Sequence, residues 1–215
     1  MNRRHVQGLL SVDVPDPQRW NHNIHYHPRL LGAVPRGAHR VLDVGCGDGH
    51  LTRQFAAQAG NVVGIDLDDA SIALAIKHTS QTNIEYVCAD VMDYSFESAS
   101  FDAVVSVATL HQLDTAQGLG RFADLVRPGG VVAVIGIGRP RLIEDLPWQL
   151  AGTVASRFHR HSKQLWEHAA PIVWPPPHTN RQVNAIAATE LPGSTFHRHI
   201  LWRYSLIWAK PDNRR

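Results

Sequence analysis

The sequence predicts an α/β protein: a doubly wound, mostly parallel, seven-stranded sheet with helices on both faces, an antiparallel C-terminal strand pair and a helical cover. Three features support this class. Short apolar segments alternate with amphipathic ones between residues 40 and 136, which is typical of parallel strands joined by right-handed crossovers. A glycine-rich turn follows the first apolar segment. Residues 195–208 alternate β-forming and polar residues, which indicates two further strands.

Composition places the chain among ordinary folded domains. With 215 residues, 44% of them hydrophobic and 19% charged, the chain is long enough for one well-filled core. We therefore expect a single domain over residues 1–215. Its parts are an N-terminal helix over the site (18–32), a ligand-binding core (40–137), a substrate-side cover (139–192) and the C-terminal strand pair (195–210).

Charge and cysteine usage exclude several classes of protein. The net charge is +2 and no run of lysine and arginine exceeds two residues, so we expect neither a nucleic-acid nor a membrane partner. Cys46 and Cys88 form no disulfide framework. The first apolar stretch is short and contains Gly8, which speaks against a signal peptide or a membrane span. We expect a cytoplasmic protein, either a monomer or a homodimer.

The N-terminal segment is expected to lie across the core. Residues 1–17 end in a proline-rich run that predicts a loose arm, and residues 18–31 predict a short helix interrupted near Pro28. The segment also carries His22, His25 and His27, a residue type that binds metals. Their spacing matches no ligand set, so we favour packing or substrate contact and expect no metal.

The first strand and the turn after it form the centre of the predicted site. Arg40–Val44 predicts a strand buried on both faces. Gly45, Gly47 and Gly49 follow it, and their lack of Cβ atoms allows a ligand to lie against bare main chain at the start of a helix. Asp43, just before the glycines, favours a cationic ligand group over a diphosphate.

The segments that follow complete the core and bring two carboxylates to the same edge. Asp66 and Asp90 stand at or just after the ends of successive strands, and the carboxyl ends of parallel strands border the ligand site. The remaining predicted elements are a helix over Asp48–Ala59 closed by Gly60, a strand over Asn61–Asp66, a helix capped by Asp68 or Asp69 and running to Lys77, a strand over Ile84–Val87, a strand over Phe101–Val107, a helix from about Asp114 to Val126 that stops at Arg127–Gly130, and a strand over Val131–Ile135.

The alternating pattern ends after Gly138. Arg141–Trp166 is helical in part, Pro171–Pro177 predicts a rigid connection, and Arg181–Thr189 predicts another helix. We interpret this region as a cover over the site. Three of its tryptophans either line an apolar pocket or belong to the core, which is the commoner place for such residues. They are Trp148, Trp166 and Trp174.

Taken together, these residues resemble the class I S-adenosylmethionine-dependent methyltransferases. The resemblance covers Arg40 to Gly136 and is carried by Val41-Leu42-Asp43-Val44-Gly45-Cys46-Gly47-Asp48-Gly49, Gly64-Ile65-Asp66, Ala89-Asp90 and Leu125-Val126-Arg127-Pro128-Gly129-Gly130. This set at this spacing is a specific signal, whereas the glycines alone are a weak one. The resemblance implies S-adenosyl-L-methionine as the cofactor and S-adenosyl-L-homocysteine as its product.

The resemblance also implies a role for each residue at the ligand edge. The glycine turn and Asp43 would hold the methionine part, Asp66 would accept both ribose hydroxyls, and Asp90 would accept from the adenine amino group. The other implied cofactor residues are Leu67 on the adenine face, the Val91 amide at a ring nitrogen, Ser106 near the transferred methyl, Tyr26 closing over the cofactor, and Cys46 within the turn. For Cys46, packing as a small buried residue is the better explanation. The two aspartates are alternatively helix caps, but their recurrence at one edge favours binding.

Catalysis in this family is largely a matter of positioning, because the methyl group is already electrophilic and the acceptor must lie opposite the leaving sulfur. An oxygen or nitrogen acceptor often loses a proton to a histidine, and Leu110-His111-Gln112 follows strand four. We predict that His111 is the base or a substrate orienter, with simple packing left open. No Asn-Pro-Pro-Tyr motif or Pro-Cys nucleophile follows this strand, and Val107–Leu113 contains no carboxylate to bind magnesium. A small-molecule acceptor is therefore expected.

Two other interpretations compete with this one. An NAD-dependent oxidoreductase has the same type of sheet and a similar carboxylate on strand two, but its glycines usually follow G-x-G-x-x-G, unlike Gly45, Gly47 and Gly49. A non-catalytic regulator that binds S-adenosylmethionine would keep the same binding residues. Only a test for methyl transfer distinguishes it from an enzyme.

Overall fold

The computed structural model describes residues 15–141, 145–162, 166 and 174–212. Its strands are β1 (Arg40–Val44), β2 (Asn61–Asp66), β3 (Ile84–Cys88), β4 (Phe101–Val107), β5 (Val126–Gly136), β6 (Thr195–His199) and β7 (Arg203–Ala209). Among the described residues they form one sheet in the order β3-β2-β1-β4-β5-β7-β6. Neighbouring strands are parallel except that β7 runs antiparallel to β5 and β6. The predicted sheet and its C-terminal strand pair are thus confirmed.

Helices cover both faces of this sheet. Their bounds are α1 (His27–Ala33), α2 (His50–Ala56), α3 (Asp69–His78), α4 (Thr115–Leu125), α5 (Leu146–Ser162) and α6 (Asn180–Glu190). Alternate side chains of β1 point into two apolar layers: Leu42 packs in the layer that contains α4 and α6, and Val41 in the layer that contains α1 and α2. Each fully buried aliphatic side chain contributes about 1.5–3 kcal/mol, so burial on both faces holds these strands in the centre.

Side-chain caps fix where several helices begin. Asp68 before α3 and Asp114 before α4 each accept a hydrogen bond from the amide three residues further on. Thr179 and Gln182 form a reciprocal capping box at the start of α6. The predicted cap of the helix after β2 is therefore confirmed, with Asp68 as the capping residue.

The structure corrects the predicted N-terminal helix. Pro28 lies in the first turn of α1 and does not interrupt a longer helix, because a proline is tolerated where its missing N–H would have no partner. The preceding residues form two separate 3-10 turns, Asp16–Gln18 and Ile24–Tyr26.

Two boundaries within the core also differ from prediction. α2 begins at His50 and ends at Ala56, and Gly60 does not close it; the Gly60 amide instead donates to the Ala38 carbonyl at 2.8 Å. β5 begins at Val126, directly after α4, because Val126 already pairs with Phe101 before the register shifts. The predicted turn at 127–130 is an irregularity within the strand.

Part of the predicted cover is described. α5 and α6 confirm two of its helical stretches, whereas residues 171–173 of the proline-rich connection and residues 1–14 of the predicted arm lie outside the described residues. Within the described part, no helix combines the length and apolar character needed to cross a membrane. The same residues bring no three His, Cys, Asp or Glu side chains together as a metal-binding group.

Candidate cofactor and acceptor site

The turn between β1 and α2 is tightly packed against two other strand ends. Gly45, Gly47 and Gly49 have φ angles of 70°, 56° and 77°, which glycine adopts without steric cost. A Cβ at Gly45 would lie 2.0 Å from Thr109 Oγ1, and one at Gly49 would lie 2.2 Å from the Tyr86 hydroxyl oxygen. Conformation and packing therefore both require glycine here, and the turn brings the ends of β1, β3 and β4 together.

Asp66 links this turn to the end of β2. Its Oδ2 accepts a hydrogen bond from the Gly47 amide at 2.8 Å, and its Oδ1 accepts one from the Asp68 amide at 3.0 Å. A carboxylate has about four lone-pair positions, so both oxygens keep capacity for ligand hydroxyls. The next residue, Leu67, is 70% exposed and presents apolar surface directly beside this carboxylate.

Asp90 organises the turn after β3. Its Oδ1 accepts a hydrogen bond from the Met92 amide at 2.9 Å, and its carbonyl accepts from the amides of Asp93 and Tyr94. Val91 beside it is buried. The carboxylate therefore stabilises a turn and still has a second oxygen for a ligand donor. No helix begins between β3 and β4, a stretch that the structure describes throughout, so the alternative that Asp90 is a helix cap is wrong.

Asp43 is a buried acid beneath the glycine turn. It is 1% exposed, and its Oδ2 accepts a hydrogen bond from Thr52 Oγ1 at 2.7 Å. The pKa of Asp43 is raised to about 7, chiefly by burial; the Thr52 hydrogen bond opposes this rise and the nearby charges of Asp66 and Asp48 contribute to it. A cation bound close by would favour the charged form of Asp43 and relieve the repulsion.

Cys46 and Ser106 both make internal contacts. Cys46 is buried with its Sγ 3.8 Å from the Gly47 carbonyl oxygen, and burial raises the pKa of its thiol, as suits a small packing residue. Ser106 is fully buried on β4, and its Oγ donates to the Val44 carbonyl at 3.0 Å. This hydroxyl ties the end of β4 to the end of β1.

His111 lies in a 3-10 turn that follows β4, Leu110–Gln112. It is 7% exposed, and its buried Nδ1 has no hydrogen-bond partner. Burial, with a smaller contribution from the positive charge of Arg203, lowers the pKa of His111 to about 4. The ring is therefore neutral at pH 7 and offers one unused nitrogen. Ala108, three residues earlier, has a φ of 54°, an uncommon conformation for a residue other than glycine.

Tyr26 packs at the corner between β6 and β7. Its hydroxyl donates to the Ile200 carbonyl, and its ring stacks on His199 with centroids 5.0 Å apart. The charge of Arg203 acts on Tyr26 as well. The Tyr26 side chain therefore packs against the C-terminal hairpin. Among the described residues it makes no hydrogen bond or ring contact with the glycine turn.

A polar network that the sequence did not reveal joins the N-terminal segment to the glycine turn. Arg19 Nη1 donates to Asp48 Oδ2 at 2.5 Å, and Arg53 Nε donates to Asp16 Oδ2 at 2.7 Å. His27 Nδ1 lies 2.9 Å from Gln54 Oε1 on α2. Asp48 belongs to the glycine motif and could be singled out from the sequence. Its partner Arg19 lies 29 residues earlier, and no sequence pattern indicates that the two residues pair.

The three tryptophans of the cover have separate surroundings. Trp166 lies under the guanidinium of Arg19, and Trp148 lies under that of Arg198. Trp174 is largely exposed. Among the described residues no contact joins them, so a shared tryptophan-lined pocket remains a prediction.

The site fits S-adenosylmethionine group by group. A cationic amino-acid end suits the buried negative region around Asp43, and two ribose hydroxyls suit the spare acceptor positions of Asp66. An adenine face suits the exposed side chain of Leu67. A strand–glycine turn–helix unit followed by strand-end carboxylates, within this sheet order, defines the class I S-adenosylmethionine-dependent methyltransferases.

Comparisons with known proteins agree with this class. A methyltransferase domain family matches residues 41–130. An uncharacterized methyltransferase of Mycobacterium bovis is 40% identical over 195 residues, covering 90% of this chain and 98% of that protein. A ubiquinone biosynthesis O-methyltransferase of Aromatoleum aromaticum is 36% identical over 121 residues, which is 53% of this chain and 52% of that enzyme.

A similar solved structure is phosphoethanolamine N-methyltransferase 2 of Haemonchus contortus in complex with S-adenosyl-L-methionine. It has a TM-score of 0.63 and 21% identity over 90% of this chain and 53% of that one. This likeness shows the fold. Because the methyltransferase of Mycobacterium bovis is 40% identical over nearly its whole length, the chain belongs to the class I S-adenosylmethionine-dependent methyltransferases, and S-adenosylmethionine is its cofactor.

Proposed function

We propose that this protein transfers the methyl group of S-adenosylmethionine to an oxygen or nitrogen atom of a small-molecule acceptor by in-line displacement. One observation carries the proposal. A neutral histidine, His111, is held at the carboxyl end of β4 with a buried ring nitrogen that has no partner. An acceptor N–H or O–H is a suitable partner for that nitrogen.

The cofactor supplies an electrophilic methyl group on a sulfonium, and the chain's own residues bind and orient. In this proposal the glycine turn and Asp43 hold the amino-acid end, Asp66 holds the ribose, and Leu67 with Asp90 holds the adenine. The remaining proposed cofactor residues are Cys46, Val91, Ser106 and Tyr26.

The pKa of His111 favours orientation over proton abstraction. A general base is most effective when its pKa lies near the working pH, and that of His111 is lowered to about 4 by burial and by Arg203. We therefore propose that His111 accepts a hydrogen bond from the acceptor and fixes the direction of attack. It becomes a stronger base only where a bound anion offsets the charge of Arg203.

A small-molecule acceptor is supported by resemblance and by charge. The O-methyltransferase of ubiquinone biosynthesis, similar over about half its length, acts at oxygen, and the net charge of +2 gives no basis for binding a polyanion. We propose that the chain works as one domain, with residues 139–192 covering the acceptor side.

Label transfer from radioactive S-adenosylmethionine to dialysed and undialysed cell extract tests this function. We expect enzyme-dependent label in the low-mass fraction, and only when the undialysed extract supplies it. Label that appears only in protein or nucleic acid contradicts the small-molecule proposal. Tight binding of S-adenosylhomocysteine with no transfer to any fraction favours a non-catalytic regulator.

His111→Ala tests the proposed role of the histidine. We expect kcat to fall tenfold to a hundredfold, the lower part of the range for such groups, while the affinity for S-adenosylhomocysteine changes little. His39→Ala is a matched control, because His39 is exposed and precedes β1 at the opposite edge of the sheet. Unchanged turnover in His111→Ala removes this residue from the mechanism.

A further inference from the structure

Arg203 lies at the edge of the sheet where the acceptor is proposed to bind. It is the first residue of β7, and the next residue, Tyr204, pairs with Gly136 at the carboxyl end of β5. His111 follows β4, the neighbour of β5 in the sheet. The turn before Arg203 contains Leu201 and Trp202, both with a φ of 59°. Such backbone strain in bulky residues is often found where a site must be held in place.

The guanidinium of Arg203 bonds only to neutral groups within the described residues. Its Nε donates to Asn23 Oδ1 at 2.7 Å, and its Nη1 donates to the carbonyls of Leu201 and Trp202 at 3.3 and 3.4 Å. No carboxylate of the described chain forms a salt bridge with it, and none of these residues accepts from Nη2. Arg203 is half-buried, and a cation partly removed from water normally has a paired anion, because removing charge from water is costly.

The groups around Arg203 provide no compensating charge. Burial raises the pKa of Tyr26 and lowers that of His199 to about 4, so both are neutral at pH 7. His111 is neutral for the same reason. Burial lowers the pKa of Arg203 itself to about 10, which leaves it charged. Among the described residues Arg203 therefore has no acid beside it to balance its charge, and Arg29 adds a further positive charge near Tyr26 and His199.

We propose that the methyl acceptor carries a carboxylate group and that Arg203 binds this group through Nη2, beside His111. This inference rests on the proposed function, since it assigns a substrate class to the same site. A carboxylate fits better than a phosphate because a single free guanidinium nitrogen suits one negative charge, whereas a phosphate dianion usually recruits several donors. Arg203 is thus a specificity-determining residue.

Pairs of small acids and their neutral amides test the inference directly. The protein is first saturated with S-adenosylhomocysteine. Each acid and its amide is then titrated in separately, and binding is measured by NMR. The pairs are acetate and acetamide, hexanoate and hexanamide, and benzoate and benzamide. We expect at least one carboxylate to bind at least tenfold more tightly than its amide. The preference should disappear in Arg203→Gln and largely return in Arg203→Lys, which restores the charge.

Arg198→Gln is the matched control for a general loss of positive charge. Arg198 lies on the same hairpin but already pairs with Asp145 at 2.8 Å, so its removal should leave the carboxylate preference intact. A second readout is the NMR titration of His111. A bound carboxylate should raise the pKa of His111 in the wild type, because it offsets the charge of Arg203, and should not do so in Arg203→Gln.

The proposal is overturned when no acid is preferred over its amide in the wild type, or when Arg203→Gln keeps the preference. Methyl transfer to low-mass acceptors without any carboxylate preference would reject Arg203 as the determinant and leave the proposed function standing. A carboxylate preference in a protein that transfers no methyl group would reject the proposed function and leave Arg203 as a residue that binds carboxylates.

Discussion

At the scale of single residues, three aspartates near the glycine turn differ because their surroundings differ. Asp48 is paired with Arg19, Asp66 accepts from two amides and remains partly accessible, and Asp43 is enclosed with only a threonine hydroxyl as partner. One residue type therefore serves as an ion-pair partner, an acceptor of amide hydrogen bonds and a buried acid with a raised pKa.

Replacing Asp66 should weaken cofactor binding far more than folding. Asp66→Ala removes the proposed acceptor of two ribose hydroxyls, and hydrogen bonds to a charged group contribute about 1.5–3 kcal/mol each. We expect the Kd for S-adenosylhomocysteine to rise by about two to four orders of magnitude on the scale of about 1.4 kcal/mol per tenfold. Calorimetry measures this. Asp69→Ala, an exposed residue in the first turn of α3, should bind as the wild type does, and equal affinity of both variants would remove Asp66 from the site.

Asp43 should release a proton when the cofactor binds. Its pKa is raised to about 7 in the free protein, chiefly by burial, and a cationic group nearby would lower it. Binding near pH 7 should therefore release a substantial fraction of a proton. Calorimetry in two buffers with different ionisation enthalpies measures the number released, and Asp43→Asn should reduce it to near zero. Identical binding enthalpies in the two buffers for the wild type would contradict this role.

At the scale of elements, the turn between β1 and α2 is held from three sides. Thr109 after β4 and Tyr86 on β3 occupy the space that side chains at Gly45 and Gly49 would need. From the third side, Arg19 in the N-terminal segment pairs with Asp48. The turn is therefore positioned by packing and ion pairing before any ligand is present, which lowers the ordering cost of binding.

Gly45→Ala should destabilise the fold more than an alanine at an equally strained but open position. Gly45 has a φ of 70° and a new Cβ would lie 2.0 Å from Thr109 Oγ1, whereas Gly193 has a φ of 84° with nothing within 4 Å. Both substitutions cost about 1–2 kcal/mol for the left-handed conformation, and only Gly45→Ala adds a steric overlap, worth about 1–3 kcal/mol. Urea unfolding of both variants measures the difference, and equal midpoints would show that Thr109 moves aside freely.

At the scale of the whole molecule, sequence patterns predicted what depends on local periodicity. The apolar runs of β1 and β4 predicted the parallel sheet. The positions of Asp66 and Asp90 were also predicted correctly, because the carboxyl ends of parallel strands all lie at the same edge of the sheet. Contacts between distant segments could not be predicted in this way. The pairing of Arg19 with Asp48 and the isolated charge of Arg203 depend on how the termini fold over the sheet, and no local pattern encodes that.

Acidification should destabilise the folded protein between about pH 6.5 and pH 4. The pKa values of His27, His111 and His199 are all lowered to about 4, chiefly by burial, so in this interval the unfolded chain binds protons that the folded chain does not. Stability therefore falls as the pH falls. Asp43 acts in the opposite direction. Because its pKa is raised to about 7, the folded chain binds one proton in this interval that the unfolded chain does not.

The balance of three histidines against one aspartate leaves a net uptake of about two protons on unfolding, or roughly 2.7 kcal/mol per pH unit. Urea midpoints measured between pH 7 and pH 4.5 without cofactor test this slope. His27→Gln, which keeps a polar side chain near Gln54 but cannot titrate, should reduce the slope to about half of its wild-type value. A midpoint that stays constant in the wild type, or a slope that is unchanged in His27→Gln, would show that these histidines are solvated in solution and take up protons without unfolding.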